Sequence, residues 1–196
     1  MPALPIAFLL HRLRTVGWTM FYRTLGRFVF TRMGRGCRFE GPLDIPQRGG
    51  SISLGDNVHF CRLVELSVPA GGCLEIANDV FIGRGVVISA HCAVRIGSDS
   101  MIGEYASLHD NDHVIRRMDL PIRDQGFESC PLIIGVGAWI GAGARLLRTT
   151  EVGDGSIIGA GGIVKGKIPS WSIAVGVPAR VIRQRDTGVS LPAAAR

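Results

Sequence analysis

The sequence has little of several features that define other protein classes. Its 196 residues include five cysteines and no CxxC pair, which argues against a disulfide framework and against a structural zinc site. Aromatic residues make up 7%, too few for an aromatic-rich sandwich. Glycine is abundant at 27 residues, but there is no Gly-X-Y period, so collagen is excluded. These counts fit one globular domain in a reducing compartment.

Acidic residues are absent from positions 1–39, which carry seven arginines. Apolar residues recur there at three- and four-residue steps, which predicts an amphipathic helix. Arginines interrupt every run long enough to span a bilayer, and they follow the apolar stretch, unlike in a signal peptide. Two interpretations stay open: an interfacial helix on an anionic membrane, and a helix that caps the core. Because the arginines alternate with leucine and phenylalanine, no nucleic-acid partner is expected.

Branched aliphatic residues recur every six positions through the middle of the chain, and glycine commonly follows them. Neither a helical period of 3.6 residues nor strand alternation gives this pattern. A parallel β-solenoid does, because each hexapeptide forms a short strand and a turn, with the aliphatic pointing inward and glycine permitting the turn angles. The rows are Ile76, Ile82, Ile88 and Val94; Ile96, Ile102 and Leu108; and Ile134, Ile140, Leu146, Val152, Ile158 and Val164.

The rows IGVGAW, IGAGAR and IGAGGI, followed by VGVPARVIR, resemble those of the hexapeptide-repeat acyltransferases over about residues 54–183. The resemblance implies an all-β, left-handed parallel β-helix with an N-terminal amphipathic helix and an extruded catalytic loop. The expected division is a basic helical segment at 1–39, an acyltransferase domain at 40–183 with its loop at 109–131, and a disordered tail at 184–196.

The repeat stops between Leu108 and Leu132, where a polar segment intervenes. This segment, LHDNDH…LPIRDQGF, resembles the loop of sugar O-acetyltransferases that modify surface polysaccharides. The resemblance implies that His113 is the general base, with Asp110 in an Asp-x-x-His relation to it, and His109 is the less favoured candidate. Imidazole suits this step because its pKa lies near neutrality. No G-x-S-x-G elbow is present, which disfavours a covalent serine mechanism.

The resemblance also implies acetyl-CoA as co-substrate, bound in a groove between the subunits of a homotrimer. Small residues would line its pantetheine arm, and basic residues near the C-terminus would meet its phosphates. The expected cofactor-binding residues are Trp139, Ala142, Ala160, Gly161, Lys165, Lys167 and Arg180. His91 and Asn111 are assigned to the acceptor. No metal is expected, since His91, His109 and His113 do not reproduce the ligand spacing of β-helical carbonic anhydrases.

The sequence therefore predicts an enzyme that moves an acetyl group from acetyl-CoA to a sugar hydroxyl, in a surface polysaccharide or its precursor. Its expected setting is the cytoplasm, with peripheral contact at the inner membrane face. Two alternatives stay open. One is acetylation of a small acceptor such as an antibiotic, serine or a free sugar, and the other is a catalytically silent, membrane-docked scaffold.

Overall fold

A computed structural model describes residues 6–185 of the chain. One helix, α1 (Ile6–Leu25), is followed by a short 3-10 turn at Gly26–Phe28, and a second 3-10 turn lies at Ile122–Asp124. The strands in chain order are β1 (Arg32–Met33), β2 (Arg38–Phe39), β3 (Ser51–Leu54), β4 (His59–Phe60), β5 (Glu65–Ser67), β6 (Cys73–Ile76), β7 (Phe81–Ile82), β8 (Val87–Ser89), β9 (Ala93–Ile96), β10 (Met101–Ile102), β11 (Ser107–His109), β12 (Asn111–His113), β13 (Phe127–Ser129), β14 (Leu132–Ile134), β15 (Trp139–Ile140), β16 (Arg145–Leu146), β17 (Glu151–Val152), β18 (Ile157–Ile158), β19 (Ile163–Val164), β20 (Lys167–Ile168), β21 (Ser172–Gly176) and β22 (Ala179–Gln184).

These strands stack into three sheets that wind as a solenoid. The first sheet has the order β1-β3-β6-β9-β14-β17-β20, the second β2-β4-β7-β10-β15-β18-β21-β22, and the third β5-β8-β11-β16-β19. In the second sheet Ile82 pairs with Ile102, which pairs with Ile140, so the hexapeptide rows lie in register. The predicted parallel β-helix is confirmed, and its architecture is consistent with the expected left hand.

The six-residue rows form the core. Ile82, Ile102 and Ile140 are fully buried, and each such side chain contributes about 1.5–3 kcal/mol relative to an exposed one. The sequence predicts that the glycine after each aliphatic is needed for the turn angle, but the structure gives another reason for it. A Cβ on Gly141 would lie 2.5 Å from the backbone nitrogen of the next coil, whereas the left-handed turn position comes two residues later, at Gly143 (φ +64°). Close approach of the coils therefore explains the first glycine.

Helix α1 packs on the open edge of the first coil. Tyr22 is buried, with its ring centroid 4.4 Å from that of Phe39. The backbone N–H of Leu43 donates to the Tyr22 hydroxyl at 2.8 Å, and that of Phe39 donates to the Thr19 hydroxyl at 3.1 Å. Because β1 and β2 begin their sheets, α1 covers an edge that would otherwise expose backbone donors. The solenoid thus begins before residue 40, where the sequence placed its boundary.

The other face of α1 is apolar and exposed. Its exposed apolar residues include Leu9, Leu10, Leu13, Val16 and Met20. Among residues 6–185, no helix has the length and hydrophobicity needed to traverse a bilayer. At the other end of the chain, Gln184 is the last residue of β22, and residues 186–196 of the predicted tail lie outside the described residues.

Candidate active site

The break in the repeat forms a hairpin that leaves the solenoid between β11 and β14. Strands β12 and β13 pair antiparallel, with Asn111 opposite Ser129 and His113 opposite Phe127. This hairpin lies within the predicted loop at 109–131. The sequence predicts an extruded loop there, and the structure adds that two strands within it pair and fix the positions of the polar side chains.

Asp110 is fully buried at the root of the hairpin. Its carboxylate accepts hydrogen bonds from the backbone N–H groups of His91 (2.8 Å) and Cys92 (2.7 Å). The backbone N–H of Cys130, on the returning side of the hairpin, donates to the Asp110 carbonyl at 2.9 Å. Both carboxylate oxygens therefore face the turn after β8, and in residues 6–185 no hydrogen bond joins Asp110 to His113. The geometry gives Asp110 an anchoring role.

His113 and His91 both lie against Phe127. The ring centroids of His113 and Phe127 are 4.3 Å apart, and those of His91 and Phe127 are 5.0 Å apart. His113 is exposed, whereas His91 is half-buried. Asn111, the other residue assigned to the acceptor, accepts a hydrogen bond from the Ser89 hydroxyl at 3.0 Å. The structure thus gathers these three predicted residues at the hairpin, and the two histidines lie against an aromatic ring that the sequence did not indicate.

A cluster of charges holds the hairpin against the solenoid. Arg148 donates to Asp112 through Nε (3.2 Å) and to Glu128 through Nη2 (3.1 Å). The Lys165 ammonium lies 3.9 Å from Asp112. Because Asp112 and Glu128 are a cross-strand pair, Arg148 ties both strands to the coil that contains β16. One irregularity in the repeat lies next to Arg148. Leu146 is followed by leucine, whereas Ile140 and Val152 in the neighbouring rows are followed by glycine.

His109 lies on β11, half-buried, with its backbone in register with Ser89. Burial lowers the pKa of His109, and the positive charge of Arg145 lowers it further, despite the opposing effects of Asp110 and Asp112. His109 is therefore a neutral imidazole at neutral pH.

The predicted pantetheine-binding residues lie on two consecutive coils. The backbone N–H of Gly161 donates to the carbonyl of Ala142 at 2.8 Å, and Ala160 and Gly161 are exposed. A Cβ on Gly161 would meet no atom within 4 Å, so the surface there is open. Trp139 is on β15, three residues before Ala142, with 47% of its surface exposed. This corner fits a ligand that needs close approach to backbone amides.

The predicted phosphate-binding residues are more scattered. Lys165 lies beside Asp112 of the hairpin, and Lys167 forms a 2.8 Å ion pair with Glu151. Arg180 is exposed on β22 and donates to the carbonyl of Ala179 at 3.0 Å. Each of these three cations thus has a different partner within the chain.

No family model matches the chain. A probable acetyltransferase of Mycobacterium tuberculosis is 37% identical over 164 residues, which cover 84% of this chain and 53% of that protein. This chain thus spans about half the length of that relative. A putative lipopolysaccharide biosynthesis O-acetyl transferase of Escherichia coli, WbbJ, is 27% identical over 172 residues, covering 84% of this chain and 88% of that protein.

Solved structures share the architecture. A point mutant of AntD, an N-acyltransferase from Bacillus cereus, in complex with dTDP and coenzyme A, superposes with a TM-score of 0.73 at 20% identity, covering 84% of this chain and 89% of that chain. A galactoside acetyltransferase in complex with coenzyme A gives a TM-score of 0.59 at 26% identity, covering 84% and 70%. A hexapeptide solenoid with one extruded hairpin defines the class. Together with these relatives, which are named as acetyltransferases, it confirms the predicted resemblance to the hexapeptide-repeat acyltransferases.

Proposed function

We propose that this protein is an acetyl-CoA-dependent O-acetyltransferase that acts on a sugar hydroxyl, in a surface polysaccharide or its precursor. The observation that carries the proposal is the exposed imidazole of His113, presented on a hairpin that leaves a solenoid of the acyltransferase family. The sugar class is supported by two relatives, one named for lipopolysaccharide biosynthesis and one for galactoside acetylation.

In this mechanism His113 is the general base. Bound acetyl-CoA supplies the acetyl thioester, and the exposed corner at Ala142, Ala160 and Gly161 would hold its pantetheine arm. An unprotonated ring nitrogen of His113 accepts the proton of the sugar hydroxyl as the ester bond forms. The thioester C–S bond breaks in the same transfer, and the imidazolium returns the proton to the departing thiolate of coenzyme A. Phe127 orients that imidazole by ring contact, and His91, against the same ring, would contact the acceptor. Asp110 holds the hairpin root, so that these groups keep their positions.

His109 is a second candidate base, and one observation favours it. Its lowered pKa keeps it neutral at the pH where a base must accept a proton. It lies on the solenoid wall, however, half-buried beside Arg145, while His113 extends from the hairpin. We therefore assign the base to His113 and use His109 as its matched control.

The active form in this proposal is a homotrimer. On the second sheet, Phe81, Met101 and Trp139 are adjacent in register, point outward and are each substantially exposed. A continuous apolar stripe of this kind is typical of a surface that another subunit covers. We expect a trimer by light scattering, and Met101→Glu should shift it toward monomer with loss of transfer. A monomeric wild type with full activity would contradict the shared-site proposal.

We further propose that the helix within residues 1–39 acts as a peripheral anchor at the inner membrane face. The transferase domain predicted at 40–183 then extends back to include β1 and β2, which begin the solenoid. The exposed apolar face of α1, flanked by arginines, supports this division. The same helix also covers the first coil through Tyr22, so localisation and capping are both assigned to it.

The decisive experiment is an acetyl-transfer screen across sugar nucleotides and oligosaccharides, with antibiotics and serine as competing acceptor classes. His113→Ala should lower kcat by about 10²–10⁴-fold and leave acetyl-CoA binding intact. His109→Ala should retain most of the activity. The reverse result would move the base to His109. A protein that binds acetyl-CoA but acetylates none of these acceptors would favour the scaffold alternative.

A further inference from the structure

Three chemically distinct metal-binding side chains converge on the outer face of the second sheet, under α1. Strands β2 and β4 pair in parallel, with Phe39 opposite Phe60 and both rings fully buried. Side chains alternate along a strand, so the residues flanking these phenylalanines point outward. Glu40 follows Phe39, and His59 and Cys61 flank Phe60, so the stacking of two successive coils brings these three to the same patch.

The donor atoms are close together. The ligand atoms of Glu40, His59 and Cys61 all lie within 4.8 Å of one another. The closest pair is Glu40 Oε1 and His59 Nε2, at 3.2 Å. Helix α1 adds a fourth donor, since His11 Nε2 lies 4.0 Å from the same Glu40 oxygen. All four residues are half-buried, so the patch is shielded but open to an ion from solution.

The donor set is one that zinc prefers. Carboxylate oxygen, imidazole nitrogen and thiolate sulfur all bind Zn²⁺, in tetrahedral geometry with bonds near 2.0–2.3 Å. Those bond lengths place neighbouring ligand atoms about 3.3–3.5 Å apart. The Glu40–His59 separation of 3.2 Å already matches this spacing, and His11 Nε2 is 4.0 Å from Glu40 Oε1. The remaining separations among Glu40, His59 and Cys61 are at most 4.8 Å, which is about 1.3–1.5 Å above the ideal spacing, so side-chain rotations would have to close the site.

We propose that Glu40, His59 and Cys61, with His11 from α1 as the fourth ligand, form a structural Zn²⁺ site that fastens the helix to the first two coils. The absence of a CxxC pair does not bear on this site, because its ligands are brought together by stacked coils and a packed helix. The site lies on β2 and β4, whereas the catalytic hairpin leaves the solenoid between β11 and β14. The acyl-transfer chemistry proposed above uses no metal.

Without an ion, the same residues form a hydrogen-bonded cluster. Burial and the neighbouring Glu40 raise the pKa of the Cys61 thiol to about 11, against the weaker opposing effect of Arg62. The thiol is then protonated beside the Glu40 carboxylate, while Glu40 pairs with His59. Zinc would displace the thiol proton. The exposed Arg14, whose Nη2 lies 3.4 Å from His11 Nδ1, would turn away so that Nδ1 can carry its hydrogen.

The test is metal analysis and cobalt substitution of the full-length protein. Purified without chelator and dialysed against micromolar Zn²⁺, the wild type should hold one zinc per chain. Titrated with Co²⁺ under reducing conditions, the metal-free protein should develop the visible bands of tetrahedral cobalt and a thiolate-to-cobalt charge-transfer band. Cys61→Ser should abolish the charge-transfer band and weaken Co²⁺ affinity more than about tenfold, since even outer-shell changes cost 10–100-fold.

Cys73→Ser is the matched control. Cys73 is also half-buried and lies beside a glutamate, with Sγ 3.5 Å from Glu75 Oε1, but among residues 6–185 no third metal-binding side chain completes a group with that pair. This variant should bind Co²⁺ like the wild type. His59→Ala should weaken binding as Cys61→Ser does, with circular dichroism to verify folding. His11→Ala changes only a residue of the helix surface and should also weaken binding.

Two results would overturn the proposal. The first is a wild type that takes up no stoichiometric zinc or cobalt, which would leave the cluster as an ion pair with a neighbouring thiol. The second is a Cys61→Ser variant with wild-type affinity and spectrum. Wild-type affinity in His11→Ala would remove the link between the ion and α1. If the site is structural, Zn²⁺ should also raise the Tm of the wild type and leave that of Cys61→Ser unchanged.

Discussion

The imidazole of His113 and the ring of Phe127 lie opposite each other across the hairpin, with centroids 4.3 Å apart and planes inclined at 38°. They are a cross-strand pair of β12 and β13. In the described part of the chain, neither ring nitrogen of His113 is engaged in a hydrogen bond. Ring contact therefore orients the imidazole without using the lone pair that a general base needs.

Removing the Phe127 ring should loosen the base while leaving cofactor binding unchanged. An aromatic pair contributes about 0.5–1.5 kcal/mol, so Phe127→Ala should lower kcat by about 2–10-fold with an unchanged KM for acetyl-CoA. Phe127→Tyr keeps the ring and should restore most of the rate. Phe28→Ala, at an exposed phenylalanine far along the chain from the hairpin, is the control in the same assay. Wild-type kcat in Phe127→Ala would show that the ring contact plays no part.

Asp110 should matter for stability more than for proton transfer. Its carboxylate accepts from two backbone N–H groups, so Asp110→Ala leaves both unpaired and should lower the free energy of unfolding by about 2–4 kcal/mol. Asp110→Asn keeps one acceptor oxygen and should cost less. Urea denaturation gives these values, with Asp124→Asn at an exposed residue of the same loop as the control.

The pH dependence of kcat separates this anchoring role from base orientation. If Asp110 only holds the hairpin root, Asp110→Asn should retain the wild-type acidic limb. A shifted limb with unchanged stability would instead place Asp110 in the proton-transfer machinery, as the Asp-x-x-His resemblance implied.

His109 should make the protein sensitive to mild acid. Burial and Arg145 lower the pKa of His109 in the folded state, while the unfolded chain titrates near 6.5. Between these two pKa values the unfolded state binds more protons than the folded state. The stability that depends on a neutral His109 is therefore present above about pH 6.5 and is lost as the pH falls toward the pKa of the folded state. His109→Gln removes the titration.

Urea denaturation at several pH values between about 7.5 and about 5, a range that includes the ordinary imidazole pKa, checks this expectation. The free energy of unfolding should fall more steeply on acidification in the wild type than in His109→Gln. Parallel curves would mean that the imidazole is not shielded in the folded protein.

The parts of the fold that the sequence predicted are those set by local repetition. Each row such as Ile134-Gly135 or Ile140-Gly141 specifies its own strand and turn, so the solenoid follows from a count of six. The hairpin's interior does not, because its contacts join distant residues. Asp110 is three residues from His113, yet its carboxylate bonds to the turn one coil earlier, and Phe127 reaches His113 only through cross-strand pairing.

The cluster under α1 was beyond sequence reasoning for the same reason. Glu40 and Cys61 are 21 positions apart, the length of one coil at that point in the chain, and no local spacing rule connects them. His11 joins them only because Tyr22 and Thr19 fix the helix on the first coil. The number of residues between two stacked positions, unlike the hexapeptide period, depends on how many residues each corner of the coil adds.

The exposed face of α1 should bind anionic membranes reversibly. Arginines near the surface contribute about 1 kcal/mol each, and Leu13 and Met20 add apolar burial on the exposed side. Leu13→Asp with Met20→Asp should abolish co-sedimentation with phosphatidylglycerol vesicles. Wild-type binding should weaken as salt rises, since the electrostatic part is screened. A chain starting near Gly41 is a poorer test, because it would lose β1, β2 and the buried Tyr22.

Met118→Asp is the matched control for the helix variants. Met118 is 97% exposed in the loop, so the substitution adds a negative charge away from α1. That variant should sediment with vesicles like the wild type. The helix double variant should stay folded and acetylate a short oligosaccharide in solution, because both substituted side chains are exposed. If it does so without binding vesicles, α1 localises the enzyme. If the wild type ignores anionic vesicles at low salt, or the double variant binds them equally well, α1 serves only as the cap of the first coil.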